Sequence, residues 1–235
     1  MEKEQVIKTL EQQLRIVRAE RQAIGSDPDL AAARGALRQY QSVRLAQTHA
    51  DLLAGANTRN AALFFLNELY GAKDASARDV DLERIVPTLK RVLPLHPLQT
   101  ITQAIMLDAL SEKLDVAMAK RLGCVFNDQQ YAASYRAVSA RDERERQLML
   151  IKALGESLAA LVRIPLLSAT LSIMRGPARA AGLGQLQQFL EHGFGTFKQL
   201  KDPAAFVATI VAREHAIMEH ILSGDNGSGA LAPTA

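Results

Sequence analysis

The sequence predicts an all-α fold, an irregular multi-helix bundle of about nine or ten helices in a single domain. Apolar residues recur at three- and four-residue spacing along most of the 235 residues, and capping residues stand where these patterns begin. No β-branched run alternates with polar residues between turns, so no strand is expected. Aromatic residues make up 5% of the chain and Trp is absent, which favours helices packed through small and unbranched side chains.

The first two helices are clearly marked. The spacing predicts a helix over residues 3–24 with these apolar positions: Val6, Leu10, Leu14, Val17 and Ile24. Asp27 is placed to cap the second helix, with Pro28 at its first position, and this helix should run to about residue 53. A dense apolar segment, ALFFLNELYG, predicts a further helix that Gly71 closes.

The middle of the chain continues the helical pattern. Ser76 and Asp79 have the spacing of a capping box, and Pro87 should kink or break the helix that follows. Another helix is expected over about residues 97–122, with Gly123 as its stop signal.

The last third predicts helices as well. One begins at Asn127 or Asp128 and either continues to about residue 163 or breaks near Ser139. Three further helices are expected over about these ranges: 165–175, 185–200 and 203–223. No linker divides residues 1–223, which should form a single α-helical domain, whereas the tail 224–235 lacks a core-forming pattern and should be disordered.

Composition argues against several functional classes. The net charge is +3 and the charged segments mix both signs, so we expect no nucleic-acid partner. The most apolar stretch, 158–174, is interrupted by Arg163 and Pro165, and we expect no membrane partner. Cys124 is the only cysteine, which excludes an intrachain disulfide and fits a reducing, cytoplasmic location, with the thiol buried as a small hydrophobe.

The segment REHAIMEH near the carboxyl end raises the question of a metal site. At about 100° per residue, His215 and Glu219 share one face of the last helix, but His220 points away from both. We therefore expect no metal here, and no cofactor elsewhere in the chain. Glu214 falls in the middle of the apolar face, where an unpaired carboxylate is costly. It should form a buried ion pair with one of these arginines: Arg163, Arg175 or Arg179. The alternative is that Glu214 is a catalytic acid.

A ligand or anion site is a candidate at MRGPARAAGLG. Arg175 and Arg179 offer guanidinium donors, and Gly182 and Gly184 precede a helix whose first amides are free. The other interpretation is a helix end followed by a tight turn, since no phosphate-binding fingerprint is present. His49 lies beside the apolar side of the second helix, either as a structural histidine or as a haem ligand.

Three stretches together resemble an uncharacterised family of bacterial, mainly proteobacterial, helical proteins with an FFLxxLYG motif. They are FFLNELYGAKDASARD, MLDALSEKLDVAMAKRLG and MRGPARAAGLGQLQQFLEHGFGTFK. The resemblance covers about residues 40–220 and implies a bacterial, cytoplasmic, single-domain α-helical protein. It implies no catalytic residues, since no activity is established for the family.

These observations favour a non-enzymatic helical protein that binds a partner protein or a small apolar or anionic ligand, with a homodimer as one form it could take. The alternative is a cofactor-dependent helical enzyme or a haem-binding protein. A coloured or metal-containing preparation would favour this alternative.

Overall fold

A computed structural model describes residues 2–69, 84–86 and 95–224 of the chain. Within these ranges the secondary structure is helical and no strand occurs, which confirms the all-α prediction. The helices are α1 (Lys3–Gly25), α2 (Pro28–Thr48), α3 (Ala50–Ala54), α4 (Arg59–Phe64), α5 (Leu95–Leu122), α6 (Asp128–Val138), α7 (Arg141–Leu161), α8 (Leu167–Ala180), α9 (Gly184–Lys198) and α10 (Pro203–Ser223). A π-helical turn, Phe65–Leu69, follows α4. The expected capping box at Ser76 and Asp79, the kink at Pro87 and the tail beyond Gly224 lie outside the described residues.

Polar side chains cap several helices at their amino ends. The Asp27 carboxylate accepts hydrogen bonds from the backbone of Asp29 and Leu30, and Pro28 is the first residue of α2. At the start of α6, Asn127 and Gln130 form a reciprocal capping box. These contacts satisfy backbone N–H groups that the helices leave without an intrahelical acceptor.

Two of the predicted helices are interrupted. His49 departs from helical geometry (φ −115°, ψ 28°), so α2 ends at Thr48 and α3 begins at Ala50. Ser139 is extended (φ −126°, ψ 130°), which decides between the two alternatives and separates α6 from α7.

The segment after α7 was predicted incorrectly. A helix over 165–175 followed by an irregular stretch was expected, but α8 runs from Leu167 to Ala180 with Pro177 inside it. Proline removes one backbone hydrogen bond, the one to the Ile173 carbonyl. Because Ile173 is exposed, water can solvate that carbonyl and the helix continues.

Helix α5 is the centre of the fold and packs against α1, α2, α6 and α7. One core cluster joins α1 and α5, a second joins α2, α5, α6 and α10, and a third joins α4, α9 and α10. Cys124 lies outside all three clusters. It follows Gly123, whose left-handed φ of 66° turns the chain outward, and its thiol is exposed rather than buried as expected. None of the described helices is long and apolar enough to cross a membrane.

Candidate functional site

Glu214 lies on the inner side of α10 and forms an ion pair with an arginine. The Arg44 guanidinium donates to it through Nη1 at 3.1 Å and Nη2 at 2.7 Å. His49 Nε2 lies 3.2 Å from Glu214 Oε1, and the three side chains are 11%, 13% and 7% exposed for Arg44, Glu214 and His49 respectively. Burial raises the pKa of Glu214, but the His49 hydrogen bond and the Arg44 charge outweigh it, so that the pKa falls from 4.5 to about 2. The ionised carboxylate can only accept, and His49 Nε2 therefore carries the hydrogen.

The arginine is not one of the three that were expected. Arg44 belongs to α2, whereas the expected arginines all lie between the end of α7 and the start of α9: Arg163, Arg175 and Arg179. Arg175 instead donates to Glu191 of α9 through Nη2 at 2.8 Å. The helical angle of Glu214 identified the face of its own helix, but it contained no information about which helix lies opposite.

Arg213 strengthens the same contact between α10 and the break at His49. Its Nη1 donates to the Thr48 carbonyl at 3.2 Å and to Asp51 Oδ1 at 2.6 Å, and its Nη2 donates to Asp51 Oδ2 at 2.8 Å. The hydrogen bond from Arg213 lowers the pKa of Asp51 to about 2. Two consecutive residues of α10 thus hold both sides of the interruption between α2 and α3.

The remaining charged residues of REHAIMEH do not converge. His215 Nε2 lies 3.9 Å from Glu219 Oε1, and Glu219 accepts a hydrogen bond from Arg141 of α7. His220 Nε2 is buried on another side of the helix. Among the described residues, no group of three or more His, Cys, Asp or Glu side chains is arranged to hold a metal ion.

A buried row of charges between α1, α2 and α5 was missed by the sequence analysis. Glu112 is 2% exposed, and its Oε2 accepts a hydrogen bond from Arg34 Nη2 at 2.6 Å. Asp115 is 8% exposed and accepts one from Gln41 Nε2 at 3.1 Å, while Arg38 Nε lies 3.8 Å away. Burial raises the pKa of Asp115 and prevails over the opposing effect of Arg38.

The sequence does contain a signal for this row. Asp108, Glu112 and Asp115 are spaced i, i+4 and i+7, so they share one face of α5. Arg34 and Arg38 are also four apart and share one face of α2. Rows of charged residues on a helix are normally exposed to solvent, but here the acidic row of α5 and the basic row of α2 pack against each other. Arg34 and Glu112 form a buried pair across the contact between α2 and α5, and removing either member would leave the other charge buried without a partner.

The four candidates for the predicted anion site, Arg175, Arg179, Gly182 and Gly184, lie at the end of α8 and the start of α9. Arg175 is engaged by Glu191, and Gly182 (φ 72°) ends α8, with the Leu183 amide donating to the Ala178 carbonyl at 2.8 Å. This is a Schellman-type helix end, which favours glycine at its left-handed position. A Cβ built on Gly184 would lie 3.9 Å from Arg179 Cγ. The helix end and tight turn of the second interpretation are both present, and binding of an anion at these residues stays a prediction.

Helix α8 and its N-cap present a mostly apolar exposed surface, which we call the α8 ridge: Leu166, Thr170, Ile173, Met174 and Pro177. All five residues are exposed, with Leu166 at 80%, Ile173 at 74% and Met174 at 47%. Ala178 is the only buried residue of the helix. The opposite side of α8 carries Arg175 and packs on α9.

Residues 20–228 match a protein family described as a domain of unknown function, DUF8198. The chain belongs to this family. The match spans all the helices from the end of α1 to α10, so the ion pair of Glu214, the buried charge row and the α8 ridge all lie inside the family domain. No curated protein matches the chain, and no solved structure does so.

Proposed function

We propose that the chain is a bacterial, cytoplasmic, non-enzymatic binding protein that forms a homodimer through the α8 ridge. The observation that carries this proposal is the exposure of Leu166, which caps α8, and of Ile173 and Met174 within it. Single exposed apolar side chains are common on protein surfaces, but several bulky ones side by side mark a contact surface. Removing these side chains from water would supply the favourable free energy of association.

The distribution of charge favours a second copy of the same chain as the occupant. At about 100° per residue, Arg175 lies about 160° and Arg179 about 120° around α8 from Ile173. The charge of Arg175 is also neutralised by Glu191. Two ridges can therefore meet across a two-fold axis without opposing like charges. A two-fold interface places the same patch on both subunits and requires only that the patch complement itself.

Leu166 gives independent support. It is a leucine in the left-handed region (φ 65°, ψ −6°), a conformation that costs about 1–2 kcal/mol for a residue with a Cβ. Glycine would remove this strain, yet the position holds a large apolar side chain that is 80% exposed. We infer that the side chain serves an intermolecular contact.

Sedimentation velocity of four purified proteins tests the proposal. The wild type should sediment as a dimer, with twice the monomer mass of 25.6 kDa. Ile173→Ser and Leu166→Gly should both shift the equilibrium to monomer, although glycine relieves the left-handed backbone strain at residue 166. Val125→Ser is the matched control, since Val125 is 89% exposed in the turn between α5 and α6. A monomeric wild type, or a dimer that survives both ridge variants, would contradict the proposal.

A further inference from the structure

We infer that a groove between α4 and α9 binds a small uncharged ligand that carries a hydrogen-bond donor and an acceptor side by side, as a carboxamide or a nucleobase does. The groove has a volume of about 500 Å³, which lies within the range of small-molecule sites. Its walls come from α4, the π-helical turn and α9. It lies apart from the α8 ridge, and the inference does not depend on dimer formation.

The groove carries no uncompensated carboxylate. Glu191 is the one acidic side chain among its lining residues, and it accepts hydrogen bonds from Arg175 and from Gln187 Nε2 at 2.9 Å. The hydrogen bonds from Arg175 and Gln187 hold the pKa of Glu191 below its ordinary value, so it stays ionised and paired. A charged ligand would find no free counter-charge on Glu191, and its desolvation would oppose binding.

Primary amides supply the polar groups. Asn60 Nδ2 donates to Gln199 Oε1 at 2.8 Å across the groove. This hydrogen bond leaves the Asn60 carbonyl oxygen available as an acceptor and the Gln199 amino group available as a donor. The pair therefore offers an acceptor and a donor together. Asn67 adds a third amide from the π-helical turn. Side-chain amides of this kind recognise the adjacent donor and acceptor of an adenine edge through two hydrogen bonds.

His192 provides a flat surface for a planar ligand. Its ring centroid lies 5.2 Å from that of Phe64 at an interplanar angle of 83°, and this edge contact fixes the orientation of the imidazole. Imidazole faces stack on the flat faces of bases. Leu63, 37% exposed, lines the same groove and adds an apolar contact.

Glycines shape the groove. A Cβ at Gly193 would lie 2.8 Å from Phe64 Cζ, so the lack of a side chain there lets α9 approach α4 closely. A Cβ at Gly195 would meet no atom within 4 Å, so the space above it is open. Gly195 lines the groove, and a large side chain at this position would fill the ligand's space without disturbing the core.

Titration calorimetry with benzamide and adenine tests the inference, with benzoate as the charged analogue of benzamide and glucose as a hydroxylated ligand without an amide edge. Benzamide, adenine or both should bind the wild type, and Gly195→Leu should weaken this binding by about tenfold or more. Asn60→Ala should also weaken it. Gly25→Leu is the matched control, because a Cβ at Gly25 also meets nothing within 4 Å and the residue ends α1, outside the groove.

Benzamide and adenine distinguish the two classes of ligand. A site for carboxamides should bind benzamide, whereas a site for nucleobases should bind adenine alone. The inference is overturned if neither compound binds, or if benzoate or glucose binds as tightly as they do. It is also overturned if Gly195→Leu melts no lower than the wild type and still binds these compounds with the affinity of the wild type.

Discussion

Replacement of Glu214 by glutamine should destabilise the protein because it leaves Arg44 buried without a counter-charge. The carboxylate is 13% exposed and its pKa falls from 4.5 in the unfolded chain to about 2 in the fold. One pKa unit corresponds to about 1.4 kcal/mol, so the interaction contributes about 3 kcal/mol at pH 7. This agrees with the range of about 3–5 kcal/mol that the loss of one member of a buried pair usually costs.

The pH dependence has a defined sign. A carboxyl group whose pKa is depressed by folding stabilises the fold above its unfolded pKa, and this stabilisation disappears as the pH falls through the folded value. The wild type should therefore exceed Glu214→Gln in free energy of unfolding by the whole amount above about pH 4.5. This difference should become smaller as the pH falls towards 2.

Urea unfolding followed by circular dichroism measures both effects. Glu219→Gln serves as the control, because Glu219 also accepts a hydrogen bond from an arginine but is 39% exposed. Its urea midpoint should stay close to that of wild type, since solvent screens exposed ion pairs. Equal midpoints for the two variants, or a Glu214→Gln difference that does not change from pH 7 to pH 3, would refute the reasoning.

Three further predictions concern the core and one exposed thiol. Gly155→Ala should lower the free energy of unfolding by about 1–3 kcal/mol, because a Cβ there would lie 2.5 Å from Val207 Cγ2; a second change, Val207→Ala, should restore part of this loss in urea titrations. Glu112→Gln should cost about 3–5 kcal/mol by stranding Arg34, and an unchanged urea midpoint would argue against a buried pair. The Cys124 thiol should react with a disulfide reagent in the native protein, and reaction only after unfolding would contradict its exposure.

The helices could be predicted from the sequence because periodic apolar residues and caps are local signals. The range of α10, Pro203–Ser223, and the cap of α2 at Asp27 followed from them. The length of α8 could not be predicted from such local signals. The free-energy cost of Pro177 within the helix depends on whether water reaches the backbone carbonyl one turn earlier. That exposure is a property of the folded surface.

The contacts of the charged residues were less predictable. A helical wheel placed Glu214 on an inner face, but Arg44 lies 170 residues away in the chain and nothing local links the two. The acidic row on α5, with Glu112 at its centre, was visible as a spacing. Its burial depends on the matching row on α2, and only the tertiary fold brings the two together.

The central claim, that the α8 ridge joins two copies of the chain, is tested most directly by disulfide cross-linking in a Cys124→Ser background. Thr170 and Ser172 are both exposed on α8, but Thr170 lies about 60° and Ser172 about 100° from Ile173, in opposite directions around the helix. Under mild oxidation, Thr170→Cys should give a covalent dimer and Ser172→Cys should remain monomeric on a non-reducing gel. Equal cross-linking of the two variants, or no dimer from Thr170→Cys, would contradict the claim.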